Sequence, residues 1–372
     1  MRFFEFKQII KEAEARIQHA EDFIIFQGSR GAVHAVENLK KLEQGGHSET
    51  TIKWDGSPAI IFGRNDNGEF VFTDKSGFVK KGGVERATSG SDLAQFLLNR
   101  GGGKNRDNPD RIEFANNMKQ AFALYEKATP KNFKGYFKGD LLYYNTPDIQ
   151  DNKYIFKPNI VTYKVDMNSE LGKKIAQSES GIVIHRQIDE AGNEGAIKID
   201  PNTFFEGNDV LVVPPVTVTK APQVADNEIA EIKSEISKSG SAIDNLLDKN
   251  ILAELKLADF QDILYLYVNQ TNMKTDFFNW LKTSKVSTAK QQRIIDHVGK
   301  NKQGFTALFQ IASSIQQVKN EIINQFDNHD ADVQASIGDD PGGEGYVIAH
   351  PKGDIKLVNR SGFTAANRAV QR

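Results

Sequence analysis

Lys53 and Asp55 sit in the stretch Thr51-Ile52-Lys53-Trp54-Asp55-Gly56-Ser57-Pro58-Ala59-Ile60-Ile61-Phe62-Gly63, whose residue types can carry covalent chemistry. Read as a strand, the stretch sends Lys53 and Asp55 to one face and Ile52 and Trp54 to the other, so an amine and a carboxylate share one pocket wall. Gly56-Ser57-Pro58 breaks the strand, and Ala59 to Phe62 starts a second one that returns beside the first. A free lysine amine has a pKa of about 10.4 and becomes a nucleophile when partly desolvated or set near other cations. The same residues also suit a surface hairpin with a Lys/Asp pair, so the choice between the two readings rests on residues further along the chain.

Further chemistry-bearing groups recur downstream. They are Thr73-Asp74-Lys75-Ser76-Gly77, Phe137-Lys138-Gly139-Asp140-Leu141-Leu142, Tyr163-Lys164-Val165-Asp166, Glu344-Gly345-Tyr346-Val347 and Ile355-Lys356-Leu357. Gly101-Gly102-Gly103-Lys104 lacks the G-x-x-x-x-G-K-[ST] spacing of a phosphate loop and reads as a connection. The seven histidines show no ligand spacing, so His185 and His350 read as structural. Asp140 also suits a plain cross-strand pair with Lys138, Glu344-Gly345 an ordinary turn, and Tyr163 a core position.

Taken in order, these pieces resemble the covalent nucleotidyltransferase superfamily of DNA ligases, RNA ligases and mRNA capping enzymes. Lys53-Trp54-Asp55-Gly56 resembles motif I, whose lysine takes the nucleoside monophosphate, and Lys75 stands where the next element usually has arginine. Phe137 to Leu142 is similar to motif III with Asp140 for Glu, Glu344-Gly345-Tyr346-Val347 to motif IV, and Lys356 to half of motif V. The resemblance implies Lys53, Asp55 and Lys356 as catalytic residues. It implies Thr51, Ile52, Lys75, Asp140, Tyr163, Glu344 and Lys356 around the nucleotide, with Tyr163 stacking on the base. Magnesium falls to Glu344 and Asp140, and the nucleotide is ATP, with GTP left open because Thr51 replaces the glutamate of many ATP-using ligases. The second lysine of motif V is missing, Val358 standing in its place and only Arg360 able to compensate. No OB-fold follows Lys356, which directs the expectation to an RNA-ligase-like enzyme or one whose helices replace that domain. The chain is also similar to an uncharacterised group of large-tailed-phage proteins with an Ile-Lys-Trp-Asp-Gly-x-Pro-Ala stretch.

Periodicity supplies the elements that must position these groups. Phe3, Phe6, Ile9, Ile10, Ala13 and Ile17 predict a first amphipathic helix, and Ala32, Val33, Val36, Leu39 and Leu42 a second one ended by Gly45-Gly46. Asn65-Asp66-Asn67-Gly68 predicts a hairpin turn into Phe70 to Phe72, and residues 73 to 84 read as a loop near the ligand. Helices follow from Ser91 and around Ile112 to Tyr125, then strands at 135 to 144, 154 to 156, 160 to 165, 181 to 185 and 210 to 213. Residues 223 to 330 contain no proline and read as five or six helices, and strand character returns in the tail.

At 372 residues, 39% apolar and 26% charged, the chain is a globular protein of one large or two ordinary domains. A net charge of -2 excludes a wholly basic nucleic-acid coat, while residues 71 to 140 are locally positive. The lack of cysteine excludes disulfides, thiol nucleophiles and cysteine-held metals. No apolar run has membrane-spanning length and the N terminus does not read as a signal peptide, so the expectation is a soluble protein of the cytoplasm, the host's if phage-encoded. The expected fold is α+β, an antiparallel β-rich, ATP-grasp-like ligase core with an inserted all-helical subdomain. Residues 1-222 form the core, 223-330 the insertion and 331-372 the strands completing the core. The expected function is ATP-dependent polynucleotide ligation through a Lys53-nucleotide intermediate, on RNA in preference to DNA, with nucleic-acid ends as partner. The alternatives are transfer to a cap, protein or small molecule, or a degenerate binding or virion component.

Overall fold

The computed structural model describes residues 18–79, 83–195, 197, 200, 203–329, 332–349 and 354–360. The amphipathic helix expected over Phe3 to Ile17, and His350, lie outside them. In chain order the elements are β1 (Gln18–His19), α1 (Phe23–Glu43), β2 (Thr50–Ile52), β3 (Ala59–Arg64), β4 (Phe70–Asp74), α2 (Lys75–Val79), α3 (Gly90–Asn99), α4 (Pro109–Ala128) and β5 (Gly135–Tyr143). β6 (Asp148–Gln150), β7 (Lys153–Phe156), β8 (Thr162–Asp166), α5 (Glu170–Ile175), β9 (Ser180–Ile188), β10 (Glu194–Gly195) and β11 (Val210–Val212) follow. The helices α6 (Asp226–Leu246), α7 (Lys249–Glu254), α8 (Phe260–Thr271), α9 (Phe277–Thr283), α10 (Thr288–Lys300) and α11 (Lys302–Asp327) precede β12 (Val333–Ile337), β13 (Asp340–Pro341), β14 (Tyr346–Ile348) and β15 (Ile355–Leu357). The protein is thus α+β, with several antiparallel sheets.

The chain divides into two compact units, one built from residues up to Lys53, 216–329 and 344 onward, the other from 54–215 and 330–343. In the first unit the helices share one apolar core with α1 and the tail strands, through Ile24, Val36 and Leu39 of α1, Ile243, Leu264, Ile311 and Ile322 of the later helices, and Ile348, Ile355 and Leu357. This corrects the expected division at 222/223 and 330/331. The six helices need an apolar partner for their inward stripes, and α1 and the tail strands supply it. The tail also separates: β12 pairs with β8 of the second unit, whereas β14 and β15 join β1 and β2 in the four-stranded order β1-β15-β14-β2. Among the described residues no helix is long and apolar enough to cross a membrane.

The second unit holds two further sheets, β10-β9-β5-β3-β4 with β11 beside β9, and β13-β12-β8-β7-β6. Phe62 and Phe72 of the first of these pack on Tyr125 of α4, and Phe137 packs on Phe62. The Asn65 to Gly68 turn forms as expected, since the Asn65 side-chain oxygen accepts from the backbone of Asn67 and Glu69. Residues 73 to 79 are not loop: Thr73 and Asp74 finish β4 and the short helix α2 follows. Asp74 is pinned there by Arg100, which also pairs with Glu85.

One contact ties the helical core to the strand that carries the tail motif. The Tyr346 hydroxyl donates to Asp327 Oδ1 at the end of α11, 2.8 Å away. Burial lifts the Asp327 carboxyl from 3.8 to about 6, against the pull of that hydrogen bond. A carboxyl raised in the folded state takes up protons on folding, so its contribution to stability falls as pH rises through this window. Asp327→Asn keeps the acceptor and removes the charge. Denaturant unfolding is expected to find it about 2 kcal/mol more stable than the parent near pH 8, and equal to it near pH 4.

Candidate functional site

The four-stranded sheet of the first unit places three of the expected residues together. Ile52 stands opposite Tyr346, and the pairing runs one step further, where the Lys53 N–H donates to the Gly345 carbonyl at 2.8 Å. Side chains alternate between faces, so Ile52, Tyr346, Ile348, Ile355 and Leu357 turn to the helical core while Thr51, Lys53, Val347 and Lys356 share the opposite face. His19 joins them, because β1 runs parallel to β15 with His19 opposite Lys356. Ile52, expected against the nucleotide, therefore packs on the core instead.

Gly345 lets the chain turn at the end of this row. Its φ is +120°, and a Cβ there would stand 2.2 Å from the Leu357 carbonyl oxygen, so only glycine fits. Glu344, one residue earlier, forms an ion pair with the Lys53 ammonium, both side chains partly exposed. Lys356 is held below the ordinary lysine range, first by burial and then by the positive charge of Lys53, with Glu344 acting in the opposite sense.

Behind this face lies a set of charges that the sequence reading missed. Lys319 of α11 donates to both carboxylate oxygens of Glu21 at 2.7 and 2.9 Å, and both residues are fully buried. Arg360 binds Asp22, also buried, and its Nε lies 3.3 Å from Glu21 Oε1. Burial and the neighbouring Glu21 lift Asp22 to about 6, opposed by Arg360, whereas Lys319 and Arg360 together hold Glu21 down against its burial. One signal was legible: Lys319 interrupts the apolar stripe of Ile311, Ile315 and Ile322, where a charge needs a buried partner.

The remaining expected residues belong to the second unit. Lys53 and Asp55 do not leave one strand face, since β2 ends at Ile52. Asp55 is buried and accepts at Oδ1 from Asn159 (2.9 Å) and at Oδ2 from the backbone of Ile160 and Val161 (3.0 and 3.3 Å). These bonds make it a clamp on the 159–161 segment rather than a catalytic group. Tyr163 is fully buried, its ring 4.6 Å from Trp54 and 5.5 Å from Phe156, and its hydroxyl accepts from the Asp55 N–H. It is core, not a platform for a base. Asp140 does not pair with Lys138, which binds Glu194. Instead it meets His185 Nε2 at 2.8 Å, so the histidine read as structural has an acidic partner. Gly56 packs onto this strand, where a Cβ would come 2.6 Å from that of Asp140. Lys75 is exposed at the start of α2.

Among the described residues no three His, Asp or Glu side chains gather into a metal cage. Glu344 fits a magnesium ion brought in by a polyphosphate, because that ion takes one or two protein carboxylates and fills its other positions with water and phosphate oxygens. The titration of Lys356 tests the geometry of the face directly. Followed by the Lys356 side-chain NMR signals, its pKa is expected below that of an ordinary lysine, to rise in Lys53→Met and to fall further in Glu344→Gln.

No curated protein and no solved structure matches the chain. A family model described as a family of unknown function, DUF6267, matches residues 14–372. That match spans nearly the whole sequence, and the chain belongs to the DUF6267 family.

Proposed function

We propose that the protein is a covalent nucleotidyltransferase that charges Lys53 with a nucleoside monophosphate from ATP, GTP being the other candidate, and passes it to a polynucleotide end, RNA in preference to DNA. The observation that carries this reading is the meeting of Lys53, Glu344 and Lys356, from opposite ends of the chain, on one polar sheet face.

The neutral Lys53 amine attacks the α-phosphorus. An N–P bond forms, the P–O bond to pyrophosphate breaks, and the amine's extra proton passes to solvent. Lys356, on the same face, offsets the charge gathering on the α-phosphate oxygens. Glu344 must first release Lys53; its carboxylate would then be the group to hold a magnesium ion, which would supply neutralising charge for the leaving pyrophosphate. An oxygen of the acceptor strand's 5′-phosphate then attacks the stored phosphoramidate: a P–O–P bond forms, the N–P bond breaks, and the lysine departs with a proton.

Two second-unit residues favour a different outcome. Tyr163 is sealed in the core and Asp140 is engaged by His185, so the base stacking and the magnesium contact expected of them are not on offer in this arrangement. A chain that binds nucleotide without reacting, as a binding or virion component, is the second reading. Incubation with α-labelled ATP or GTP and Mg²⁺ is expected to give acid-resistant label on Lys53. Lys53→Ala should lose it entirely, and Glu344→Gln or Lys356→Ala should slow it by ~10²-fold or more. Nucleotide binding with no label would replace the enzymatic reading by the second one, and transfer to a non-nucleic acceptor would redirect it.

A further inference from the structure

His19 has no part in the proposed mechanism, yet the charges of the first unit converge on it. It lies on the polar sheet face directly beside Lys356, on the edge strand β1, and is itself partly exposed. Its Nδ1 is buried and has no hydrogen-bond partner among the described residues. After burial, the influences that hold its pKa well below the usual histidine value are four cations, Arg360, Lys319, Lys356 and Lys53, so the imidazole is neutral near pH 7.

The charges around it do not balance. Lys53 is matched by Glu344, Lys319 by Glu21 and Arg360 by Asp22. Among the described residues no salt bridge engages Lys356, which leaves one ammonium in excess. Arg360 also keeps Nη1 without an acceptor among them. A surplus positive charge and a neutral imidazole with an unfilled nitrogen on a partly exposed face, backed by a buried guanidinium with a spare donor, together call for an anion with several acceptor oxygens.

We propose that His19 and Lys356 form an anion seat for a phosphate-type oxyanion, with Lys356 giving the charge and the His19 imidazole an uncharged N–H. The seat itself needs only these residues; its place in catalysis rests on the nucleotidyltransferase reading. Two sources share this chemistry, the pyrophosphoryl end of a nucleoside triphosphate and the 5′-phosphate of a strand to be joined.

Calorimetric titration of the full chain distinguishes them, with inorganic pyrophosphate, a 5′-phosphorylated oligonucleotide and its 5′-hydroxyl counterpart as probes. The parent protein is expected to bind at least one phosphorylated probe more tightly than the 5′-hydroxyl strand. His19→Ala should weaken that binding by about tenfold or more and Lys356→Met should remove it, while His19→Gln, which keeps an N–H donor, should recover most of it. Thermal unfolding of each variant separates loss of the seat from loss of the fold. Preference for pyrophosphate assigns the seat to the leaving group, and preference for the 5′-phosphorylated strand assigns it to the acceptor. Absence of binding in the parent, or affinity unmoved in a folded His19→Ala protein, overturns the proposal. Parallel titration of Lys53→Met keeps the two readings apart: His19-dependent binding there upholds the seat whether or not Lys53 becomes labelled in the parent.

Discussion

The four-stranded sheet of the first unit has one face committed to a helical core, and that commitment fixes everything the candidate site offers. Ile348, Ile355 and Leu357 are buried against the helices. A slip of one residue in β15 would turn Lys356 into that core and expose its apolar neighbours, so the packing of oil-like side chains sets the register of the charged ones. The polar face is the necessary reverse of the apolar one, and Lys53, Lys356 and His19 occupy it for that reason.

The buried charges behind the sheet enforce the same register from the other side. Glu21 and Asp22 follow β1 directly, Lys319 sits on the long helix α11, and Arg360 follows β15. Removing any one partner strands a charge where water does not reach, at a penalty of about 3–5 kcal/mol for a buried pair. A hydrophobic substitute of equal volume could hold these segments together, but it would not set the field that acts on His19 and Lys356. The electrostatics of the face and the cohesion of the segments are thus one arrangement.

Much of the architecture was legible because it depends on local periodicity and turn chemistry. The Asn65 to Gly68 hairpin, α4, the strands β5, β7, β8 and β9 and the six helices after residue 225 all follow from such signals. The meeting of Lys53 with Glu344 was expected from motif order alone. What escaped depends on partners far along the chain. Asp55 reads as a pocket carboxylate until Asn159 and the backbone at 160 and 161 consume its oxygens. Tyr163 reads equally as platform or core until Trp54 and Phe156 enclose it. His19 carries no motif, and its place follows from a two-residue parallel pairing with a strand more than three hundred positions away.

The first unit is sewn from three stretches of chain, and the last of them carries Glu344, Lys356 and Arg360. During synthesis the 50–52 segment therefore leaves the ribosome with neither of its later neighbours, and Glu21 and Asp22 emerge long before Lys319 and Arg360 exist to neutralise them. The amine at position 53 acquires its counter-ion only when translation has passed residue 344. A nascent chain thus carries no assembled polar face, and Lys53, Glu344 and Lys356 come together only once all three stretches have been made.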